Sequence, residues 1–188
     1  MNDHQIARPA AFIDRDGTLV EEVNFLSRVE DLRLFSFTAE AIRSLKEQGF
    51  WIIVVTNQSG IGRMIYSEDD MRSVHDEIQR QLDGAIDAFF HCPHLPGAGC
   101  RCRKPNLGML EDAAAKFTID MLRSWFIGDK ILDVETGWNA GIRTAMVRTG
   151  YGSRHESLLG RKPDVTADDL LQAVGEILQF ENVFAGRL

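Results

Sequence analysis

Five short apolar runs, at residues 10–13, 51–55, 86–90, 125–127 and 144–147, alternate along the chain with stretches of helical periodicity. Continuously apolar runs of this length fit strands buried on both faces, which occur where a parallel sheet is covered on each side by helices. The intervening patterns predict helices over 38–48, from residue 68 onward, and over 107–117, 134–140 and 167–180. The first carries Ala41, Ile42 and Leu45 on one face and stops at Gly49, a residue suited to a left-handed helix end. The second follows Ser67, a hydroxyl able to cap it, and places Glu68, Asp69 and Asp70 against the positive end of the helix dipole. Strands joined through helices pair in parallel by right-handed crossovers, so the expected fold is α/β: a doubly wound, Rossmann-like parallel sheet with helices on both faces. The segments 20–37 and 150–162 read as loops, the first an extended or hairpin-like flap. A length of 188 residues suits one domain over 1–188.

The formal charge of −7 speaks against a broad nucleic-acid surface, although Arg101, Arg103 and Lys104 form a basic cluster sized for one small anion. No apolar run approaches the ~18 residues of a membrane span. Residues 1–9 lack the basic start and apolar middle of a secretory signal, so a cytoplasmic chain is expected. No apolar stripe exceeds what the sheet would cover, which favours a monomer. The three cysteines all fall within residues 92–102, and an odd count in a reducing compartment points away from disulfides, leaving metal binding or chance.

In a doubly wound sheet, ligands bind outside the carboxyl ends of the strands, so chemistry is sought directly after each apolar run. The first run ends in Asp14-Arg15-Asp16-Gly17-Thr18. This is either an acidic turn or a nucleophile, Asp14, beside a proton-transfer group, Asp16. The second ends in Thr56-Asn57-Gln58-Ser59-Gly60, hydroxyl and amide donors with a glycine that admits an anion. Thr56 and Asn57 are expected to donate to phosphoryl oxygens. Lys104 would neutralise charge on nucleophile and phosphate, and Arg103 would grip substrate oxygens with both arms of its fork. The fourth run leads into Gly128-Asp129-Lys130-Ile131-Leu132-Asp133. Asp129 with Asp14 suits Mg²⁺, which needs few carboxylates. Asp133 reads as a helix cap or an orienting group, and Lys130 either reaches a substrate oxygen or is solvated.

Cys92-Pro93-His94 and Cys100-Arg101-Cys102 supply three thiolates and an imidazole, a complete tetrahedral set for a structural zinc ion. His91, ending a strand, is expected to pack rather than ligate. Because Cys102 directly precedes Arg103 and Lys104, the metal would fix the loop that delivers them.

The four strand-end clusters, in this order, resemble the four motifs of the haloacid dehalogenase superfamily of phosphotransferases. Asp14 and Asp16 match the first motif, Thr56 the second, Lys104 the third, and Asp129 with Asp133 the fourth. The resemblance implies phosphoryl transfer to Asp14, hydrolysis of the phosphoaspartate with help from Asp16, and Mg²⁺ held by Asp14, Asp129 and the backbone carbonyl of Asp16. Cys-Pro-His with Cys-x-Cys-Arg-Lys-Pro narrows it to the branch shared by D,D-heptose bisphosphate and histidinol-phosphate phosphatases. The runs at 56–63 and 147–150 look more like the heptose group, which makes removal of the 7-phosphate of D-glycero-D-manno-heptose 1,7-bisphosphate the leading expectation. Histidinol phosphate is the alternative substrate, and a zinc-bearing interaction module without catalysis the reading from another class. Met64 departs from the pattern, standing where glycine commonly follows Arg63. About forty residues separate Asp14 from Thr56, too few for a separate cap domain, so the enzyme is expected to be capless. The flap, the segment 60–66 and the Cys/His loop would then wall the open site, with Glu22, Val23, Asn24 and Phe25 as leaving-group contacts and Gln58, Ser59 and Lys130 as further substrate-binding candidates.

Overall fold

Six strands, β1 (Ala10–Ile13), β2 (Trp51–Asn57), β3 (Ala88–Cys92), β4 (Trp125–Gly128), β5 (Arg143–Val147) and β6 (Val165–Ala167), pair in parallel in the order β3-β2-β1-β4-β5-β6. The computed structural model describes residues 6–185, with side chains through Glu181; residues 1–5 of the stretch read as lacking a signal lie outside it. The chain starts at the centre of the sheet, winds outward to β3, then returns to place β4 on the other side of β1. Crossovers therefore diverge between β1 and β4, leaving a crevice at their carboxyl ends.

Alternation along each strand sorts the core into two layers. Ala11, Ile13, Ile52, Val54, Trp125 and Ile127 face α1 (Thr38–Glu47), α3 (Glu68–Gln81) and α7 (Leu170–Ala185) through Ala41, Leu45, Val74, Ile78, Leu170 and Val174. Ala10, Phe12, Ile53, Val55 and Phe126 turn to the opposite face, where Met109, Leu110 and Ala113 of α4 (Gly108–Lys116) cover them. Burying an aliphatic side chain of this size contributes roughly 1.5–3 kcal/mol, so these two layers dominate the stability of the sheet. Among the described residues, no helix is long and apolar enough to cross a membrane.

The expected cap and stop are both present. Ser67 Oγ accepts from Asp70 N at 3.1 Å while Asp70 Oδ2 accepts from Ser67 N at 2.8 Å, and Gly49 takes φ +81° after α1. Several boundaries need correction. Ile86 lies before β3, held by the Gln79 side chain, so that strand runs two residues later than its apolar run. Ala167 belongs to β6, and α7 begins at Leu170, not at 167; Asp164 fixes the start of that strand by accepting from Thr144 N at 2.8 Å. The segment 150–162 is not all loop: it contains the short α6 (Gly152–His155) and a 3₁₀ turn, Glu156–Leu158. The flap is anchored, with Val20, Leu26 and Leu32 buried, an antiparallel bridge from Val20 to Leu34 and a 3₁₀ turn at Val29–Asp31. A further short helix, α2 (Ser59–Gly62), opens directly after β2, and α5 (Ile131–Asn139) begins earlier than its apolar pattern. Met64 adopts φ +57°, which accounts physically for glycine being common at that position.

Candidate active site

Parallel pairing of β1 between β2 and β4 brings the strand-end clusters to one crevice. Asp14 follows β1, and its N–H bonds Ile127 O of β4 at 2.9 Å. Its side chain is buried, and Oδ1 takes two donors, Arg15 N at 2.8 Å and Lys104 Nζ at 2.9 Å. Lys104 also forms an ion pair with Asp133 Oδ1 at 2.6 Å and donates to Val55 O at 2.8 Å, so its ammonium is held from three sides inside the protein. Burial alone would favour the neutral amine, but Asp133 and Asp14 outweigh it and hold the Lys104 pKa above that of an ordinary lysine. Burial likewise opposes ionisation of Asp14, yet Lys104 and Lys130 keep its pKa lowered.

Asp14, Asp129 and Asp133 offer carboxylate oxygens within 4.8 Å of one another, all buried. Asp129 is fully buried; Oδ2 accepts from Tyr151 N at 2.8 Å, while Oδ1 has no hydrogen-bond partner. Burial, with Asp14 and Asp133 close by, pushes Asp129 up to about 8, and burial with Asp14 pushes Asp133 up to about 6. A buried oxygen without a hydrogen bond, in a cluster of three acidic groups, fits a hard divalent cation. Gly17 at φ +85° and Gly150 at φ +54° press on this carboxylate from opposite loops, and a Cβ at either would run into Asp129 Oδ2. Lys130 Nζ faces this cluster, 3.1 Å from Asp16 O, 3.5 Å from Asp14 Oδ2 and 3.6 Å from Asp129 Oδ1, and its fourth neighbour is Glu22 Oε2 at 3.1 Å. Burial raises the Glu22 pKa. Asp133 also caps α5, Oδ2 accepting from Lys130 N at 2.9 Å, as the helix-cap reading expected.

A recess of about 140 Å³ is lined by Asp14, Asp16, Thr56, Asn57, Arg103, Lys104 and Lys130 among others. A cavity of about 280 Å³ shares Asp16, Asn57 and Lys130 and opens onto Glu22, Val23, Asn24, Phe25 and Ser59. The structure gives two of these side chains other neighbours than expected. Asn57 pairs with the Lys104 backbone, Oδ1 accepting from N at 3.1 Å and Nδ2 donating to O at 3.3 Å. Gln58 is buried and its amide is fully hydrogen-bonded within the protein. Arg101 leaves the basic cluster, turning onto α4 to meet Glu111 at 3.0 Å, Asp112 and Gly108 O. Tyr66, Tyr151 and His155 also stand in the cavity wall, and sequence reading missed the last two. The last two lie just past the end of β5, where the strand-end rule applied to the fifth strand would have pointed.

Beside the recess, Cys92, His94, Cys100 and Cys102 converge. Cys92 Sγ lies 3.0 Å from Cys102 Sγ and 3.6 Å from Cys100 Sγ, and His94 Nδ1 lies 3.3 Å from Cys102 Sγ and 3.5 Å from Cys92 Sγ. A tetrahedron with Zn–S of ~2.3 Å and Zn–N of ~2.0–2.1 Å has edges of roughly 3.5–3.8 Å, close to this spacing. Burial and the neighbouring thiols push Cys92 up to about 12, so without a cation this thiol keeps its proton, and metal binding would release it. His91 stands outside it, 3.9 Å from Glu68 Oε1. Arg103 Nη1 donates to His94 O at 3.1 Å, joining the Cys/His loop to the recess.

A strand-end carboxylate braced by a buried lysine, a buried acidic cluster and a recess open to a second cavity fit a phosphatase of the haloacid dehalogenase-like hydrolases. A family model described as HAD-hydrolase-like matches residues 101–173. A D-glycero-D-manno-heptose-1,7-bisphosphate 7-phosphatase of Thermosynechococcus vestitus is 38% identical, with 89% of this chain and 94% of the relative covered. The D-glycero-beta-D-manno-heptose-1,7-bisphosphate 7-phosphatase of Rhodopseudomonas palustris is 41% identical over 72% of this chain and 81% of its own. The crystal structure of D,D-heptose 1.7-bisphosphate phosphatase from B. bronchiseptica, complexed with magnesium and phosphate, superposes with a TM-score of 0.83 at 29% identity, covering 91% of this chain and 99% of that one. The chain belongs to the heptose-1,7-bisphosphate phosphatase family of these hydrolases.

Proposed function

We propose that the protein hydrolyses the 7-phosphate of D-glycero-D-manno-heptose 1,7-bisphosphate through a phosphoaspartate on Asp14, using Mg²⁺. The observation that carries this reading is Asp14 buried at the end of β1, with Lys104 at 2.9 Å on one oxygen and the Asp129–Asp133 pocket beside it. The names of relatives covering most of the chain support the substrate.

The phosphoryl group enters the smaller recess and the heptose fills the larger cavity, whose wall carries Glu22, Val23, Asn24, Phe25 and Ser59. Asp14 attacks phosphorus while Asp16 gives its proton to the departing sugar oxygen. Asp16 then takes a proton from water, which attacks the phosphoaspartate and frees inorganic phosphate and the Asp14 carboxylate. Thr56 donates its hydroxyl to a phosphoryl oxygen; Lys104 holds the nucleophile, and Arg103 and Lys130 offer positive charge to the transferring group. Mg²⁺, held by Asp14, Asp129 and the Asp16 carbonyl, supplies charge compensation on the phosphoryl oxygens when bound. A structural zinc ion on Cys92, His94, Cys100 and Cys102 fixes the loop bearing Arg103.

Phosphate release from heptose 1,7-bisphosphate and from histidinol phosphate, compared as kcat/KM in Mg²⁺, tests the reading. A preference for the heptose of at least about a hundredfold, ~2.7 kcal/mol in the transition state, is expected. Preference for histidinol phosphate, or equal slow turnover of both, contradicts the substrate. Unchanged turnover in Asp14→Asn would instead favour a module whose fold is not used for this chemistry.

A further inference from the structure

Gln58 sits between Thr56 and Asp16 with every hydrogen-bonding position of its amide filled. Nε2 donates to Thr56 Oγ1 at 2.8 Å and to Asp16 Oδ2 at 2.9 Å, while Oε1 accepts from Arg15 Nη2 at 3.1 Å and from Tyr66 OH at 2.5 Å. Arg15, Thr56, Gln58 and Tyr66 are all buried. The opposite amide orientation would point NH₂ at the guanidinium and a carbonyl oxygen at the Asp16 carboxylate, setting donor against donor and acceptor against acceptor. Only one orientation satisfies the network, and in it Thr56 Oγ1 is an acceptor towards Gln58. Its own proton is therefore left for another partner, and Thr56 lines the recess.

Asp16 is held by the same set. Arg15 Nε lies 3.1 Å from both of its oxygens and Arg15 Nη2 lies 2.9 Å from Oδ1, so Gln58 and Arg15 between them bind the carboxylate from one side. Tyr66 closes the network from eight residues along the chain. Its ring packs on α2 at Gly60, where a Cβ would collide with Tyr66 Cε1. Burial pushes the phenol up to about 12, so the hydroxyl keeps its proton and remains a donor to Gln58.

We infer that Gln58 is a positioning residue: fixed in one amide orientation by Arg15 and Tyr66, it aims the Thr56 hydroxyl proton at the incoming phosphoryl group and holds Asp16 ready for proton transfer. This deepens the phosphatase reading and rests on it. Gln58→Glu keeps the shape but replaces the donating NH₂ by an oxygen, which turns the Thr56 proton inward and repels Asp16. Tyr66→Phe leaves Arg15 to select the orientation and is the milder change.

The test measures kcat, KM for heptose 1,7-bisphosphate, the inhibition constant of orthovanadate and the melting temperature for the native protein, Gln58→Glu, Gln58→Leu and Tyr66→Phe. Loss of one aimed donor lowers kcat about 10²–10³-fold in the Gln58 variants, and about tenfold in Tyr66→Phe. KM should change by less than about threefold, while vanadate inhibition weakens in parallel with kcat, because both depend on the aimed proton. A purely structural role would lower melting temperature and active fraction without that parallel. If the native protein is active and folded Gln58 variants keep native kcat and vanadate inhibition, this inference is overturned alone. A native protein that releases no phosphate overturns the phosphatase reading and this inference with it.

Discussion

Lys104 Nζ stands 2.9 Å from Asp14 Oδ1 and spans to Asp133 Oδ1 at 2.6 Å, so one buried ammonium bridges two carboxylates. Lys104→Met leaves both acids buried without their partner. We expect a stability loss of about 3–5 kcal/mol, read by denaturant unfolding, and a fall in phosphate release of at least about 10²-fold. Lys104→Arg should not restore activity, because the bulkier planar fork cannot replace a compact point charge held from three sides.

Lys130 Nζ faces the three groups proposed to hold Mg²⁺, so the two cations would compete for the same oxygens. Lys130→Met should tighten Mg²⁺ binding by about tenfold in calorimetric titration, ~1.4 kcal/mol. The same variant should weaken inhibition by inorganic phosphate, which loses a positive neighbour. Unchanged Mg²⁺ affinity would show that the two cations do not share these oxygens.

His75 lies buried in α3, its ring stacked on Phe89 at a centroid distance of 4.4 Å, and burial, with Arg15 and His91 nearby, lowers its pKa to about 3. The folded state therefore binds fewer protons here than the unfolded chain, whose histidine titrates near ~6.5. The contribution is fully present above that value and is lost as pH falls from it towards 3, by up to about 5 kcal/mol. Urea unfolding of His75→Leu should accordingly show a shallower decline than the native protein between pH 6.5 and pH 4. Parallel curves would remove His75 from the acid response.

The Cys/His loop is tied to the recess through Arg103 Nη1 and His94 O. Metal analysis of protein purified without chelator should find about one zinc per chain. Cys102→Ser should lose that zinc, lower the melting temperature and raise KM more than it lowers kcat. A native protein without zinc contradicts the assignment.

The residues after β1, β2 and β4 were legible because a continuous apolar run states where a buried parallel strand ends, and the fold places those ends together. Less could be read where structure depends on partners remote in sequence. Three residues, Val165–Ala167, show no usable periodicity and become a strand through pairing with β5. Arg101 belongs by sequence with Arg103 and Lys104, but Glu111 and Asp112 on α4 draw it away. Gln58 looked like a free donor because Tyr66, which helps to fix its amide, reaches it only after α2 folds back. Tyr151 enters the site because Gly150 turns the chain tightly enough for Tyr151 N to bond Asp129 Oδ2.

Covalent capture of the phosphoryl group tests the central claim most directly. Native protein mixed with Mg²⁺ and excess heptose 1,7-bisphosphate, quenched in acid within one turnover and digested, should yield a peptide containing Asp14 that is heavier by one phosphoryl group. Asp14→Asn should yield neither that peptide nor free phosphate. Phosphate release that persists in Asp14→Asn, or a phosphoryl group found on another residue, would contradict the account.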